Sequence, residues 1–403
     1  MAARTKALSI LLLLIGETAT MSLWFVSAAI LPEITAEAGL HPAWQAALSS
    51  GVQAGFVIGA LALAILGVAD RYDPRSVIAV SALIGATSNL ALLVVPLDGV
   101  VAVGLRVLTG ASLAGVYPVG MKIAVGWGSR DRGFLVGMLI GALTVGTAAP
   151  HFISYLGDAD WRMTVMVASA LAAAGGLSVL AAGLGTLHAP APTLDPKSIR
   201  LAWTNRDIRL AYAGYFGHMW ELYAFWAWVG AAAAASYGAT MGADEAGRLA
   251  KLTAFLAICL GGFACVPAGM LADRIGKARV AQWAMILSAG AALATALSFG
   301  GAAWVTFALM LFWGMAVVPD SAQFSALVAD AAPDERTGSL MTFQTALGFT
   351  LTAFTVQVVP TVVELAGWPA TLALMALGPA LGVEAMRRLI NHKSAIEPAP
   401  SPQ

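Results

Sequence analysis

Charge is what this chain has least of. Lysine, arginine, aspartate and glutamate make up 11% of its 403 residues, against roughly 25% in a soluble domain. That is too little charge to cover a water-facing surface. With 59% hydrophobic residues and a mean hydropathy of +0.80, the natural solvent is a bilayer. The 22 basic and 22 acidic residues cancel, which argues against nucleic acid or another polyanion as partner. Only two cysteines occur, Cys259 and Cys265; six positions apart on a helix means about 9 Å of rise, too far for a disulfide. The five histidines, at 41, 151, 188, 218 and 392, have no metal-ligand spacing. No phosphate-binding glycine loop is present, so direct ATP coupling is not expected. Neither clustered metal ligands nor a nucleophile–base pair occurs, so the reading is no enzyme and no cofactor.

Apolar runs long enough to span fall at 8–31, 44–66, 77–95, 99–126, 134–156 and 162–187. After a polar stretch come 208–236, 247–271, 279–299, 303–328, 338–359 and 368–390. Glu17 interrupts the first run, but hydrophobicity resumes through Leu31; at about 24 residues it reads as a retained helix rather than a cleaved signal. The stretch between the sixth and seventh runs holds Pro190, Pro192 and Pro196 among Lys197, Arg200, Arg206 and Asp207. It is the natural boundary, so the expected organisation is a six-helix bundle over 1–187, a cytoplasmic linker over 188–207, a second bundle over 208–392 and a disordered tail over 393–403.

Landmarks recur at half the chain length. Glu17 and Glu221 are 204 positions apart, Asp70-Arg71 and Asp273-Arg274 are 203 apart, Arg132 and Arg336 are 204 apart, and Trp161 and Trp368 are 207 apart. A unit of about 200 residues made of apolar helices and then duplicated is how two-halved membrane transporters are built. Charge placement sets the orientation. With both termini cytoplasmic, 17 of the 22 basic residues lie inside. Only Arg162 and Arg248 lie outside, while Arg106, Lys122 and Lys251 fall within spans. That bias fits the positive-inside rule and an even number of spans.

After the eighth run the chain reads Gly269-Met-Leu-Ala-Asp273-Arg274-Ile-Gly276-Lys277-Ala-Arg279. The glycines permit close helix approach and a tight turn, and the aspartate is placed to pair with an arginine or a helix N-terminus. This segment resembles the loop motif of the major facilitator superfamily. The first copy, Gly67-Val-Ala-Asp70-Arg71-Tyr72-Asp73-Pro74-Arg75, departs from it: its glycine is one residue closer, and Asp73-Pro74 stands where glycine is expected. Arg106-Val-Leu-Thr-Gly110 resembles the family's arginine-to-glycine motif in the fourth helix. The resemblance implies an all-α integral membrane protein of 12 transmembrane helices in two pseudo-symmetric bundles, in the cell inner membrane, acting as a monomer. It also implies a conformational latch formed by Asp70, Arg71, Arg132, Gly269, Asp273, Arg274, Gly276 and Arg336. Gly133, Gly137, Gly141 and Gly146 precede Ala149-Pro150 in the fifth run, an incomplete form of the glycine signature that drug antiporters of the superfamily carry.

Ionisable groups at membrane depth are costly and mark function. The resemblance implies that helices 1, 4, 7 and 10 line the central cavity, and the buried ionisable residues fall mostly there: Glu17, Arg106, Lys122, His218, Glu221 and Asp320. Glu17 is about 14 Å along its helix from Leu8, near mid-span. A carboxylate there is costly to keep ionised and suited to exchanging a proton. His218 shares a helical face with Glu221, giving a relay, a substrate clamp or a structural pair. Arg106 keeps its charge and must face water, an anionic substrate or a carboxylate such as Glu17. Pro118 and Pro319 permit bends; Lys122 lies one turn beyond the first, and Gln323 one turn beyond Asp320. Trp24 shares the face of Glu17, and Tyr117 joins the candidates for the cavity wall.

The expected function is a secondary transporter working by alternating access, with a small-molecule substrate and protons as partners. Arg106, Lys122 and His218 favour a small organic or inorganic anion. The alternative is a drug/proton antiporter exporting amphipathic compounds, favoured by three buried acids and many aromatics. The nitrate transporters of the superfamily use paired arginines on helices 2 and 8, and the second run here has no basic residue, so nitrate is not supported.

Overall fold

The structure is a computed structural model that describes residues 5–128, 132–157, 160–185 and 195–396. Among these residues it is helical throughout, with no strand. The first helix, α1, comes in two pieces, Lys6–Met21 and Val26–Ala38. Next are α2 (Pro42–Leu66), α3 (Pro74–Leu90), and α4, again in two pieces, Val100–Leu113 and Tyr117–Trp127. Then come α5 (Arg132–Leu156), α6 (Trp161–Ser178), α7 (Arg206–Tyr237), α8 (Ala243–Ile275) and α9 (Lys277–Ser298). The divided α10 follows, Ala303–Val317 and Ser321–Ala331. The stretch Asp334–Met375 bends at Gly367, φ 78°; α11 is the arm before it, and α12 is the arm after it with Leu377–Ile396. Ten stretches among the described residues are long and apolar enough to cross a membrane. One of them covers both α11 and α12, and α7, rich in aromatics and polar groups, is not counted among the ten.

Local chemistry sets the ends. His41, Asp73, Asp160 and Asn205 each accept a hydrogen bond from an amide of the first turn that follows, satisfying donors that a helix start leaves free. Pro42 and Pro74 occupy first helical positions, where no amide is needed. Two expectations need correction. The first run is not one continuous helix through Leu31: it breaks at 22–25 and extends to Ala38. The last helix continues to Ile396, so residues 393–396, expected in a disordered tail, are helical. Residues 188–194 and 397–403 lie outside the described part.

The breaks in α4 and α10 sit next to Pro118 and Pro319, as the sequence anticipates. The break in α1 has no proline or glycine. Ser22 turns its hydroxyl onto the Ala19 carbonyl at 2.6 Å and Thr20 onto Gly16 at 2.7 Å, and such local bonds compete with the helical ladder.

Close helix crossings recur at matching places in the two parts of the chain. A side chain at Gly16 of α1 would press on the Gly175 carbonyl of α6 at 2.8 Å; at Gly217 of α7 it would press on the Gly378 carbonyl of α12 at 2.4 Å. Gly110 of α4 meets the Val52 carbonyl of α2 in the same way, at 1.9 Å, and Gly314 of α10 meets the Ala257 carbonyl of α8 at 2.2 Å. Small residues let backbones touch where lipid supplies no hydrophobic drive. Between the two sets of helices, α2 packs on α11 and α5 on α8.

Gly110→Ala is expected to destabilise the protein by about 1–3 kcal/mol through overpacking. Gly104 lies on the same helix with nothing within 4 Å of an added methyl, so Gly104→Ala serves as a control with little cost. Thermal unfolding in detergent compares the two, and equal melting temperatures would remove the close crossing as the reason for glycine.

Candidate functional site

Arg106 is completely buried on α4. One guanidinium nitrogen donates to Asn89 Oδ1 of α3 at 2.9 Å; the other donates to the carbonyls of Leu23 and Trp24, at 3.0 and 2.8 Å. Those carbonyls are among the ones the break in α1 frees. Unpaired in a membrane interior they would cost several kcal/mol, so the arginine closes the break. It does not pair with Glu17. Asn89 in turn donates to Ser169 Oγ of α6 at 3.0 Å.

Below the break, on the side nearer the linker, Glu17 is 1% exposed and neither carboxylate oxygen has a hydrogen-bond partner. It faces α4, where an added methyl at Gly120 would stand 3.7 Å from Oε2. Tyr117, half-buried beyond the α4 break, lies within electrostatic range of Glu17, Tyr215 and Tyr223. Lys122 is half-buried one turn further along α4.

Above Glu17 stands an aromatic plug. Trp24 lies 5.0 Å from Phe56, 5.7 Å from Tyr223 and 5.6 Å from Phe349, ring centre to ring centre. Phe56 meets Phe349 at 4.6 Å, and Phe25 meets Tyr223 and Trp226 at 6.1 and 5.9 Å. The plug therefore joins α1 and α2 to α7 and α11.

Glu221, the repeat partner of Glu17, is equally buried but fully engaged. Trp313 Nε1 of α10 donates to one oxygen at 2.7 Å and Ser288 Oγ of α9 to the other at 2.9 Å. His218 turns away from it: its Nδ1 lies 2.9 Å from Asp320 Oδ1, with both side chains buried, at an angle too bent for a hydrogen bond. Asp320 starts the second piece of α10 without capping it, and Gln323 is buried one turn on. Of the sequence candidates, then, Trp24 and Arg106 meet at the α1 break, Glu17 and Tyr117 share one locality, and His218 joins Asp320. Glu221 stands apart from His218.

Four polar residues escaped the sequence reading. Asn89 and Ser288 hold Arg106 and Glu221, while Gln53 of α2 and Gln344 of α11 are fully buried with neither side-chain polar atom partnered. Their signal was polarity inside apolar runs, which attention to ionisable groups passed over. The crevices in the second half, lined by residues such as Trp228, Trp220 and Met375, are apolar and hold none of these groups.

The face opposite the linker is closed. Lys251 of α8 pairs with Glu33 of α1 and reaches the Ser154 carbonyl of α5 at 3.3 Å. His151, buried on α5, lies within electrostatic range of that lysine. Phe152 of α5 stacks on Phe255 of α8 at 4.7 Å, and Ser50 of α2 donates to Gln357 of α11 at 2.8 Å. Toward the linker face, added methyls at Gly137 of α5 or Gly269 of α8 would meet nothing within 4 Å.

The repeated loops lie on the linker side. Gly276 has φ +96° and turns α8 into α9, as the motif implies. In the first copy Gly67, φ +60°, makes the turn before the aspartate instead of after it, so the two aspartates occupy different local positions. Arg71, Asp273, Arg274 and Arg336 are exposed. The side chains of Asp70 and Arg132 lie outside the described residues. Hydrogen bonds from Arg75 hold the Asp73 carboxyl below its ordinary value of 3.8.

Helices pinned by an arginine at a break, carboxylates buried within apolar helices, and helices tied together at the face opposite the linker fit a membrane transporter fold. The Major Facilitator Superfamily profile matches residues 13–356, and the chain belongs to that family as a multi-pass membrane protein. A search against curated proteins returns no match. Among solved structures the chain is similar to the xylose transporter XylE from E. coli in a partially occluded inward open conformation. The TM-score is 0.75 at 13% identity, over 95% of this chain and 97% of that one. It is also similar to a D-xylose–proton symporter, TM-score 0.71 at 14% identity over 95% and 96%, and to the nucleoside transporter NupG, 0.69 at 16% over 94% and 99%. At such identities the likeness is one of fold.

Arg106→Met leaves the Leu23 and Trp24 carbonyls unpaired, at about 1–3 kcal/mol for each buried group; a lowered melting temperature checks this. Glu33→Gln is expected to loosen the closed face, so that a cysteine placed at Phe255 reacts several-fold faster with a membrane-impermeant maleimide. Unchanged labelling would show that the ion pair does not hold that face shut.

Proposed function

We propose that the chain is a proton-coupled secondary transporter in which Glu17 carries the proton. The observation behind this is the contrast between two repeat-related carboxylates: Glu221 accepts two hydrogen bonds, whereas Glu17 has none. An ionised carboxylate without donors is strongly disfavoured at membrane depth, and a protonated one is tolerated. Its charge state therefore has to follow the conformation that admits water.

In this reading twelve helices form two six-helix bundles joined by the linker, and the bundles rock about the plug. The bias of basic residues makes the linker face cytoplasmic, with both termini on it, in the inner membrane. The face that is closed here is then the outer one, and the protein stands inward-facing. The exposed Asp273, Arg274 and Arg336 belong to a latch that is disengaged in this state.

The expectation of an anionic substrate leaned on Arg106, Lys122 and His218, and of these Arg106 is committed to Asn89 and two carbonyls while His218 lies against Asp320. A small neutral solute with hydrogen-bonding groups fits better, set between the rings and the unpartnered amide of Gln344. The symporters for xylose and the nucleoside transporter to which the fold is similar agree with that class. Export of amphipathic cations is the second reading, favoured by the aromatic plug beside the uncompensated Glu17.

Proteoliposomes under an imposed proton gradient test the assignment with a panel of neutral, anionic and cationic solutes. Glu17→Gln is expected to abolish gradient-driven accumulation while leaving counterflow exchange intact. Glu221→Gln should chiefly lower the melting temperature. Proton-driven accumulation by Glu17→Gln at the wild-type rate would overturn the role given to Glu17.

A further inference from the structure

The end of the linker, where it runs into α7, carries a feature that transport does not use. Residues 199–204 form a short helix whose inner side is packed, with Ser198 and Ala202 buried, and whose outer side is bare. Lys197, Arg200, Arg206 and Arg209 are all exposed, and among them Trp203 is 63% exposed. The arrangement is held in place: Arg209 donates to the Trp203 carbonyl at 2.7 Å. Asn205 caps the first turn of α7. The two acids of the stretch are engaged elsewhere. Asp195 accepts from the Lys197 amide and the Ser198 hydroxyl, and Asp207 lies 2.8 Å from His392 Nδ1. What remains outward is four cations within thirteen residues around one tryptophan, level with the start of a membrane helix.

We propose that this surface docks anionic phospholipid headgroups of the adjoining leaflet. A large aromatic ring facing water is unfavourable, whereas tryptophan at a bilayer interface is at home. Guanidinium groups match a phosphodiester with paired donors, and each basic residue near an anionic surface strengthens attachment severalfold. Charge bias alone accounts for the cations but not for an exposed tryptophan fixed among them. The site touches the segment that joins the two halves of the chain, so an occupying lipid sits where it resists their relative movement.

The test uses the full-length protein in nanodiscs of phosphatidylcholine doped with brominated phosphatidylglycerol, which quenches tryptophan on contact. The signal of Trp203 is the difference between the wild type and Trp203→Phe. It is expected to be quenched at a lower fraction of brominated phosphatidylglycerol than of brominated phosphatidylcholine. In Arg200→Gln/Arg206→Gln the required fraction should rise about tenfold to thirtyfold. Unchanged melting temperatures confirm that these surface variants fold. Equal quenching by the two lipids, no quenching of Trp203, or no effect of the double variant would overturn the proposal. Relief of quenching by millimolar inorganic phosphate would reassign the surface to a soluble anion, and so would overturn it too.

Discussion

Everything at the centre of this protein depends on how the break in α1 is closed. A membrane helix that unwinds exposes backbone groups to a medium with no water. Here the guanidinium of Arg106 takes the carbonyls of Leu23 and Trp24 and anchors itself to Asn89. One side chain thus ties α1, α3 and α4 together. It also sets the direction of everything on α1: the piece before the break presents Glu17 toward Gly120, and the break itself presents Trp24 to the rings of the opposite set. The acceptors are met by two separate nitrogens of one planar guanidinium, a spread that the single ammonium nitrogen of lysine does not offer.

The second half of the chain solves the same problem differently. Its α7 is continuous, so no carbonyls need an arginine, and the corresponding carboxylate, Glu221, is pinned by Trp313 and Ser288 instead. The glycine crossings are alike in the two parts, Gly16 with Gly175 and Gly217 with Gly378, where backbone contact leaves no room for a side chain. The polar interiors differ: Glu221 ties helices together and Glu17 has no donors.

Much of this was legible in the sequence. The apolar runs, the repeat and the loop motif gave the helices and the family, and Pro118 and Pro319 marked two of the three breaks. The α1 break was not legible, since Thr20 and Ser22 are common in membrane helices and act through bonds to their own turn and to the Ala172 and Ala168 carbonyls of α6, which sequence alone does not place. The partners of the ionisable residues were hidden for another reason. His218 and Glu221 share a helical face by spacing, yet one turns to α10 and the other lies between α9 and α10, a choice made by neighbouring helices. Asn89, Gln53 and Gln344 carry no charge and so gave no cost large enough to notice.

The plug then explains why the molecule rests closed on one side. Trp24, Phe25 and Phe56 belong to the first set of helices and Tyr223, Trp226 and Phe349 to the second, so any rocking of the sets pulls these rings apart. Five ring contacts cross between the sets, each worth about 0.5–1.5 kcal/mol beyond simple burial. Together they reach a few kcal/mol, and reversing a two-state balance from 1:99 to 99:1 takes about 5.5 kcal/mol. The rings and the mostly buried Glu33–Lys251 pair are therefore of the right size to set the resting state without locking it. A ligand that is to turn the protein around must bind the other state better by a similar amount. In the coupling proposed above, a proton at Glu17, on the linker side of the plug and without donors in this state, meets that requirement through the large difference between an ionised carboxylate in water and one buried alone.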